Sequence, residues 1–147
     1  MAGRRRLRRH LVLLGLAAAL SAFLLSATVL GPDDPCRGPG AAPPAEIALL
    51  PAGLTFERIG TVTRVRKDAR HVTVQAVTSK PLDEVTVLIQ DAVTAAGYRP
   101  AGMDSEGFEA EVFFTTGSYA AGQARVRSSA CAGRWDIDLV LLDRDAV

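Results

Sequence analysis

The sequence contains no asparagine, two histidines and two cysteines, and each shortage excludes a class of site. Without asparagine, the chain has no acceptor for N-glycosylation. Two cysteines with no histidine near either in sequence cannot complete a tetrahedral zinc shell. The sequence also lacks a glycine-rich phosphate loop, a nucleophile elbow and a complete calcium loop. We therefore expect no enzyme activity, no metal and no cofactor.

Lysine is scarce as well, because fifteen of the seventeen basic residues are arginine. This bias, with abundant Ala, Gly and Pro, is typical of a GC-rich coding sequence and favours a bacterial source. Five of the basic residues precede residue 11, so the rest of the chain carries twelve against sixteen acidic residues, a net charge of −4. Such an acidic remainder lacks the basic footprint of a nucleic-acid-binding domain, so no nucleic acid partner is expected.

One long apolar run is present, at residues 11–30, where Ser21, Ser26 and Thr28 are the most polar members. Twenty residues rise about 30 Å as a helix, which matches the hydrocarbon thickness of a bilayer. Residues 1–10 hold five arginines and no acid, which predicts a cytoplasmic N-terminus. We interpret residues 1–10 as a cytoplasmic basic segment and 11–30 as a single-pass transmembrane signal-anchor helix, with the lipid bilayer as its partner.

A cleaved signal peptide is the alternative, and it would make the protein secreted. Secretory signals have apolar regions of about 7–15 residues followed by a small-x-small cleavage site. The run here is longer, and its best candidate site, Ser26-Ala27-Thr28, is followed by the apolar Val29 and Leu30. Length and the poor site favour the uncleaved anchor.

Residues 31–51 contain six of the eight prolines and three glycines. A segment of this composition favours extended polyproline II rather than a hydrogen-bonded ladder. We therefore predict a Pro/Gly-rich stalk over residues 31–51, followed by an exported domain over residues 52–147.

The exported domain is predicted to be α+β. Alternating patterns over residues 55–66 and 72–76 indicate two strands, with Ile59, Thr61, Thr63 and Val65 on one face of the first and Val62, Arg64 and Arg66 on the other. An apolar stripe with helical spacing follows. Ser79 or Lys80 can cap this helix, Pro81 fits its first turn, and Gly97 can end it. The stripe consists of Val85, Leu88, Ile89, Ala92, Val93 and Ala96.

Four further strands are indicated after the helix. The first, over residues 98–103, is interrupted by Pro100 and Gly102, which favours an edge position. Three alternating segments follow, around residues 108–114, 120–129 and 135–141. The order ββαββββ predicts a small two-layer domain, in which an antiparallel sheet packs on one helix.

The last three strands place charges at alternating positions. Glu109 and Glu111 precede Arg125 and Arg127, and Asp136 and Asp138 come last. If these strands form a meander, the acids flank a central basic strand, and opposite charges across strands contribute roughly 0.2–1 kcal/mol per pair. A structural ladder therefore explains these six residues better than a catalytic carboxylate pair does.

The two cysteines, Cys36 and Cys131, both lie after the apolar run, on the oxidising side of the membrane where disulfides persist. Their even number favours one intramolecular bond over free or intermolecular thiols. We predict a Cys36–Cys131 disulfide.

The first hairpin contains a basic concentration. A solvated hairpin tip is the ordinary interpretation, and Glu57 and Asp68 dilute the charge. The functional alternative is a patch for an anionic partner, either an envelope polymer, a lipid headgroup or an acidic protein surface. The candidate patch consists of Arg58, Arg64, Arg66, Lys67, Arg70 and His71.

Two hypotheses for function follow. In the first, this is a single-pass cell-envelope protein whose exported domain binds or scaffolds another envelope component, either a protein or an anionic polymer. In the second, it is a small secreted or membrane-tethered hydrolase or transferase with a dispersed site near His71. A continuous salt ladder on the outer sheet face favours the first, and a pocket holding His71 and a carboxylate favours the second.

The anchor hypothesis predicts topology. A reporter fused after Val147 should be active outside the cytoplasm, and the mature membrane protein should retain residues 1–30 on mass spectrometry. Recovery from the medium of a chain that begins near Val29 would contradict the uncleaved anchor. It would still support export of the domain.

Overall fold

The computed structural model describes residues 35–116 and 119–142. Contacts divide the chain into residues 1–37, of which Pro35–Arg37 form a 3-10 turn, and residues 38–147. The predicted membrane span at 11–30 lies outside the described residues. Within the described ranges, no helix has the length and apolar character needed to cross a membrane.

The α+β prediction is confirmed, because the described strands form a six-stranded antiparallel sheet with a helix packed against it. The order across the sheet is β1-β2-β6-β5-β4-β3, so a hairpin and a four-stranded meander join where β2 pairs with β6. The strands are β1 Thr61–Lys67, β2 His71–Thr78, β3 Arg99–Ser105, β4 Glu109–Thr116, β5 Tyr119–Ser128 and β6 Trp135–Leu142; the helices are α1 Pro44–Ile47 and α2 Leu82–Ala95.

Helix α2 covers one face of the sheet with the predicted apolar stripe. Val85, Ile89 and Val93 are fully buried. The helix ends in a Schellman motif, in which Gly97 at φ 85° donates its N–H to Thr94 O and the Tyr98 N–H reaches Val93 O. The prediction for Gly97 is therefore confirmed. The predicted cap is wrong, because Pro81 occupies the N-cap position and no side chain caps the helix.

The first strand begins later than predicted. Residues 55–60 lie outside the strand, with a turn at residues 57–59, and they bury Phe56 and Ile59 in the core. A β-bulge between Val62 and Arg64 then shifts the alternation, so Val62 and Val65 both reach the core. The predicted placement of Val62 on the face opposite Val65 is wrong for this reason.

Packing begins before residue 52, the predicted start of the domain. Ala42 is buried in the core, and its N–H donates to Val62 O at 2.8 Å. Helix α1 lies against β1, and the Glu46 carboxylate accepts the Val65 N–H at 2.9 Å. This part of the predicted stalk therefore closes the free edge of β1 instead of standing away from the domain.

The predicted disulfide is confirmed, because neither Cys36 nor Cys131 is free and the two are bonded to each other. Closing a loop of roughly a hundred residues removes unfolded-state entropy worth up to about 4–5 kcal/mol. The bond thus supplements the core of a small domain.

Removing this bond should lower the free energy of unfolding by up to about 4–5 kcal/mol, because the unfolded chain regains its entropy. Cys36→Ala, Cys131→Ala and the double variant should lose the same amount in urea unfolding, since each breaks one shared bond. A double variant that loses the sum of the two single losses would show that the cysteines act separately.

Candidate binding surface

The outer face of the sheet is the face opposite α2. Its side chains alternate with the buried ones along β2, β4, β5 and β6. Two rows of cross-strand partners carry the charges. The first row runs Asp104, Glu111, Arg125, Asp138, Gln75, Arg64, and the second runs Glu109, Arg127, Asp136, Val77, Thr61.

The predicted charge ladder is present on this face. Strand β5 lies between β4 and β6, so its arginines stand between two acidic strands. Arg125 pairs with Glu111 and also lies 3.3 Å from Glu109. Arg127 reaches across to Asp138 at 2.7 Å. The ladder therefore joins three strands through side chains as well as through the backbone.

The ladder departs from simple opposite pairing at three acids, because Glu109, Asp136 and Asp138 each form an ion pair with an arginine other than the one directly opposite. Asp136 lies directly opposite Arg127 in register, yet among the described residues its ion pair is with Arg134, whose Nε lies 3.9 Å from Oδ1. Arg127 instead takes the diagonal acid, Asp138, which also accepts the Gln75 amide at 3.2 Å. Long side chains reach diagonal neighbours easily in a twisted sheet.

Arg125 contacts two carboxylates of the ladder, those of Glu109 and Glu111. Its hydrogen bond to Glu111, followed by the attraction of that carboxylate, raises the pKa of Arg125 above its ordinary value. Its guanidinium therefore stays charged at any physiological pH. About 44% of the side chain is still exposed, so N–H groups remain available to a partner.

A groove of about 530 Å³ crosses the outer face over β2, β6 and β5. Val140, 39% exposed, provides an apolar surface within it. Polar and charged side chains from three strands surround this residue. They are His71, Gln123, Arg125, Arg127 and Asp138.

His71 lies at the start of β2, beside the hairpin turn. Its backbone N–H and that of Arg70 both donate to Asp68 Oδ1 at 2.8 Å, and its Nδ1 lies 3.6 Å from the same oxygen. The backbone hydrogen bonds, from Arg70 first, lower the pKa of Asp68 below its ordinary value. The turn thus fixes where His71 enters the groove.

The six residues of the predicted patch fall in different places. Arg64 and Arg66 lie on the outer face of edge strand β1, and His71 lines the groove. Lys67 pairs with the buried Val72 and so points to the opposite face. Arg70 lies in the hairpin turn.

Arg58 is separated from the others along the strand direction. It precedes β1, whereas the hairpin turn follows β1, and it lines a second cavity of about 480 Å³ together with Lys80 and Arg134. The groove also depends on residues that sequence reasoning missed, namely Gln123 and Val140. Both residues alternate with buried neighbours in β5 and β6, and this alternation could have placed them on the outer face.

No group of three or more His, Cys, Asp or Glu side chains in the described ranges could hold a metal ion. Comparisons of the chain with protein-family models, curated proteins and solved structures found no match.

The ladder predicts that the thermal stability of the domain depends strongly on which strands carry the acidic and the basic residues. Arg125→Glu with Arg127→Glu sets like charges against Glu109, Glu111 and Asp138, so the melting temperature should fall by several degrees. Changing the acids of β4 and β6 to Lys in the same protein should recover much of the loss, because these residues couple directly. Equal melting temperatures for all three proteins would show that the ladder does not stabilise the sheet.

Proposed function

We propose that this protein is a membrane-anchored binding module of the bacterial cell envelope, with its N-terminus in the cytoplasm and its α+β domain outside. The domain binds another envelope component through the outer face. The groove around Val140 carries this proposal, because it is an open concave surface with an apolar centre and polar rim. Interfaces are built in this way, with an apolar core surrounded by polar groups.

The chemistry of the groove favours an anionic group on the partner. Arg125 and Arg127 are each about half exposed, so their outward N–H groups can bind a carboxylate or phosphate while the ladder holds the side chains in place. Arg64 and Arg66 extend the basic character to β1, and neither forms an ion pair with any described residue. An acidic protein segment or an anionic polymer fits this surface.

The proposed location at the envelope rests on the apolar run that follows the arginine-rich N-terminal segment. Residues 11–30 are the proposed anchor, and cleavage after that run, with secretion, is the alternative. Binding at the outer face requires the domain to be exported in either case.

A second candidate function is an enzyme with a site near His71. It is favoured by one observation, which is that His71 and Asp138 line the same groove. Asp138 already accepts hydrogen bonds from Arg127 and Gln75, so an acid–base role would require it to exchange partners.

Site-specific photo-crosslinking in the native membrane tests the binding proposal. A photoreactive residue at Val140 should capture a defined envelope component. The same residue at Val87, which is 57% exposed on α2 behind the sheet, should not capture it. Arg64→Glu with Arg66→Glu should lower the yield at Val140, because these changes remove attraction for an anion.

Equal products from Val140 and Val87, or none from Val140, would contradict the proposal. His71→Ala separates the two functions. Under the binding proposal any loss of the cellular phenotype is matched by a loss of the crosslink, because His71 lines the binding groove. An intact crosslink with a lost phenotype would favour the enzyme.

A further inference from the structure

The two edge strands of the sheet, β1 and β3, differ in whether other parts of the chain hydrogen-bond to their outer backbone groups. The Ala42 N–H and the Glu46 carboxylate hydrogen-bond to the backbone of β1, so that edge is occupied. At the other edge, no strand lies beyond β3 in the described part of the chain, and all seven residues of β3 are exposed. An edge of this kind presents unpaired backbone donors and acceptors to a further strand.

The pairing part of this edge is short. Pro100 lacks a backbone donor, and a register shift lies between Pro100 and Gly102. Residues 102–105 continue in regular register with β4. An incoming strand would therefore pair over residues 102–105.

The side chains at this edge define what could pair there. Asp104 faces the outer side with its partner Glu111, whereas Met103 faces the helix side and is 55% exposed. A cleft of about 160 Å³ on the outer side is lined by Asp104, Glu106, Glu109 and Glu111. Glu109 and Glu111 share Arg125, and Asp104 and Glu106 form no ion pair with any described residue. The cleft therefore has an excess of negative charge.

We propose that an extended basic segment of another protein adds to the sheet as a strand beside β3. Its backbone pairs with residues 102–105. Alternate side chains then point to opposite faces, so basic residues enter the acidic cleft while apolar residues between them pack on Met103. This interaction uses a different surface and the opposite charge from the groove, so it stands independently of the proposed function.

A second copy of the chain is a poorer occupant. Symmetric β3–β3 pairing would bring two acidic clefts close together, and each copy would offer Arg99 as the one basic residue of its β3 strand. Like charges near one another oppose such pairing. A partner strand that carries several basic residues avoids the repulsion between two acidic clefts, and its positive charges neutralise the acids of the cleft.

The test uses the full chain in detergent micelles and a fluorescein-labelled peptide of alternating lysine and valine, seven residues long. The peptide should bind in fluorescence anisotropy, and hydrogen exchange should slow within residues 102–105. A glutamate–valine peptide should not bind. Asp104→Lys with Glu106→Lys should weaken lysine-peptide binding by about tenfold or more at low salt. The milder pair Asp104→Asn and Glu106→Gln should weaken it less.

Two controls separate strand addition from charge attraction alone. Methylating the backbone nitrogens of the lysines blocks one edge of the peptide, and methylating those of the valines blocks the other. Strand addition requires one of these peptides to lose binding and the other to keep it. Glu57→Lys with Asp91→Lys, which makes the same charge change at exposed acids outside the cleft, should weaken binding much less than Asp104→Lys with Glu106→Lys.

The proposal is overturned if both methylated peptides bind like the parent, because binding is then purely electrostatic. It is also overturned if the lysine–valine peptide fails to bind. Concentration-dependent protection of residues 102–105 without peptide would instead identify a second copy of the chain as the occupant.

Discussion

The two-residue alternation of β5 and β6 is the constraint on which the rest of this domain depends. Ala124, Val126, Ile137 and Leu139 are fully buried on the helix side, and the residues between them carry the charge ladder. Because strand periodicity is two, a one-residue slip would bury charges and expose the core. The ion pairs and the core thus specify the same register, which makes the outer face a well-defined surface.

The surface that results is polarised across the sheet. Arg64 and Arg66 lie at the β1 edge, and Asp104, which has no ion pair within the described ranges, lies at the β3 edge, with the neutralising ladder between them. One face can therefore offer an anion-binding side and a cation-binding side at once. If both proposed interactions occur, the domain would bring two different components close together.

Periodicity explains which parts of the structure could be predicted from sequence. The stripe on α2 and the meander of charged strands each follow a simple spacing, so the helix, the sheet and the partners of Arg125 were predictable. The bulge after Val62 was not, because it interrupts the spacing. The roles of Ala42 and Glu46 were also hidden, since they depend on contacts with β1 some twenty residues later. The groove could not be predicted, because the sequence alone does not show which residues of β2 and β5 lie beside Val140 in the sheet.

The pairing of β2 with β6 has a consequence for how the domain is made. His71 pairs with Leu142 and Thr78 with Trp135, so the seam at the middle of the sheet joins an early strand to the last of the described strands. If the domain is exported as proposed, with the N-terminus held in the cytoplasm, the hairpin crosses the membrane before β6 does. Until then the hairpin has an open edge and an uncovered apolar face, because loop closure must precede long-range pairing. Under the proposed topology, assembly of this domain would be coupled to the completion of export, and the hairpin would be the segment with most need of protection in that interval.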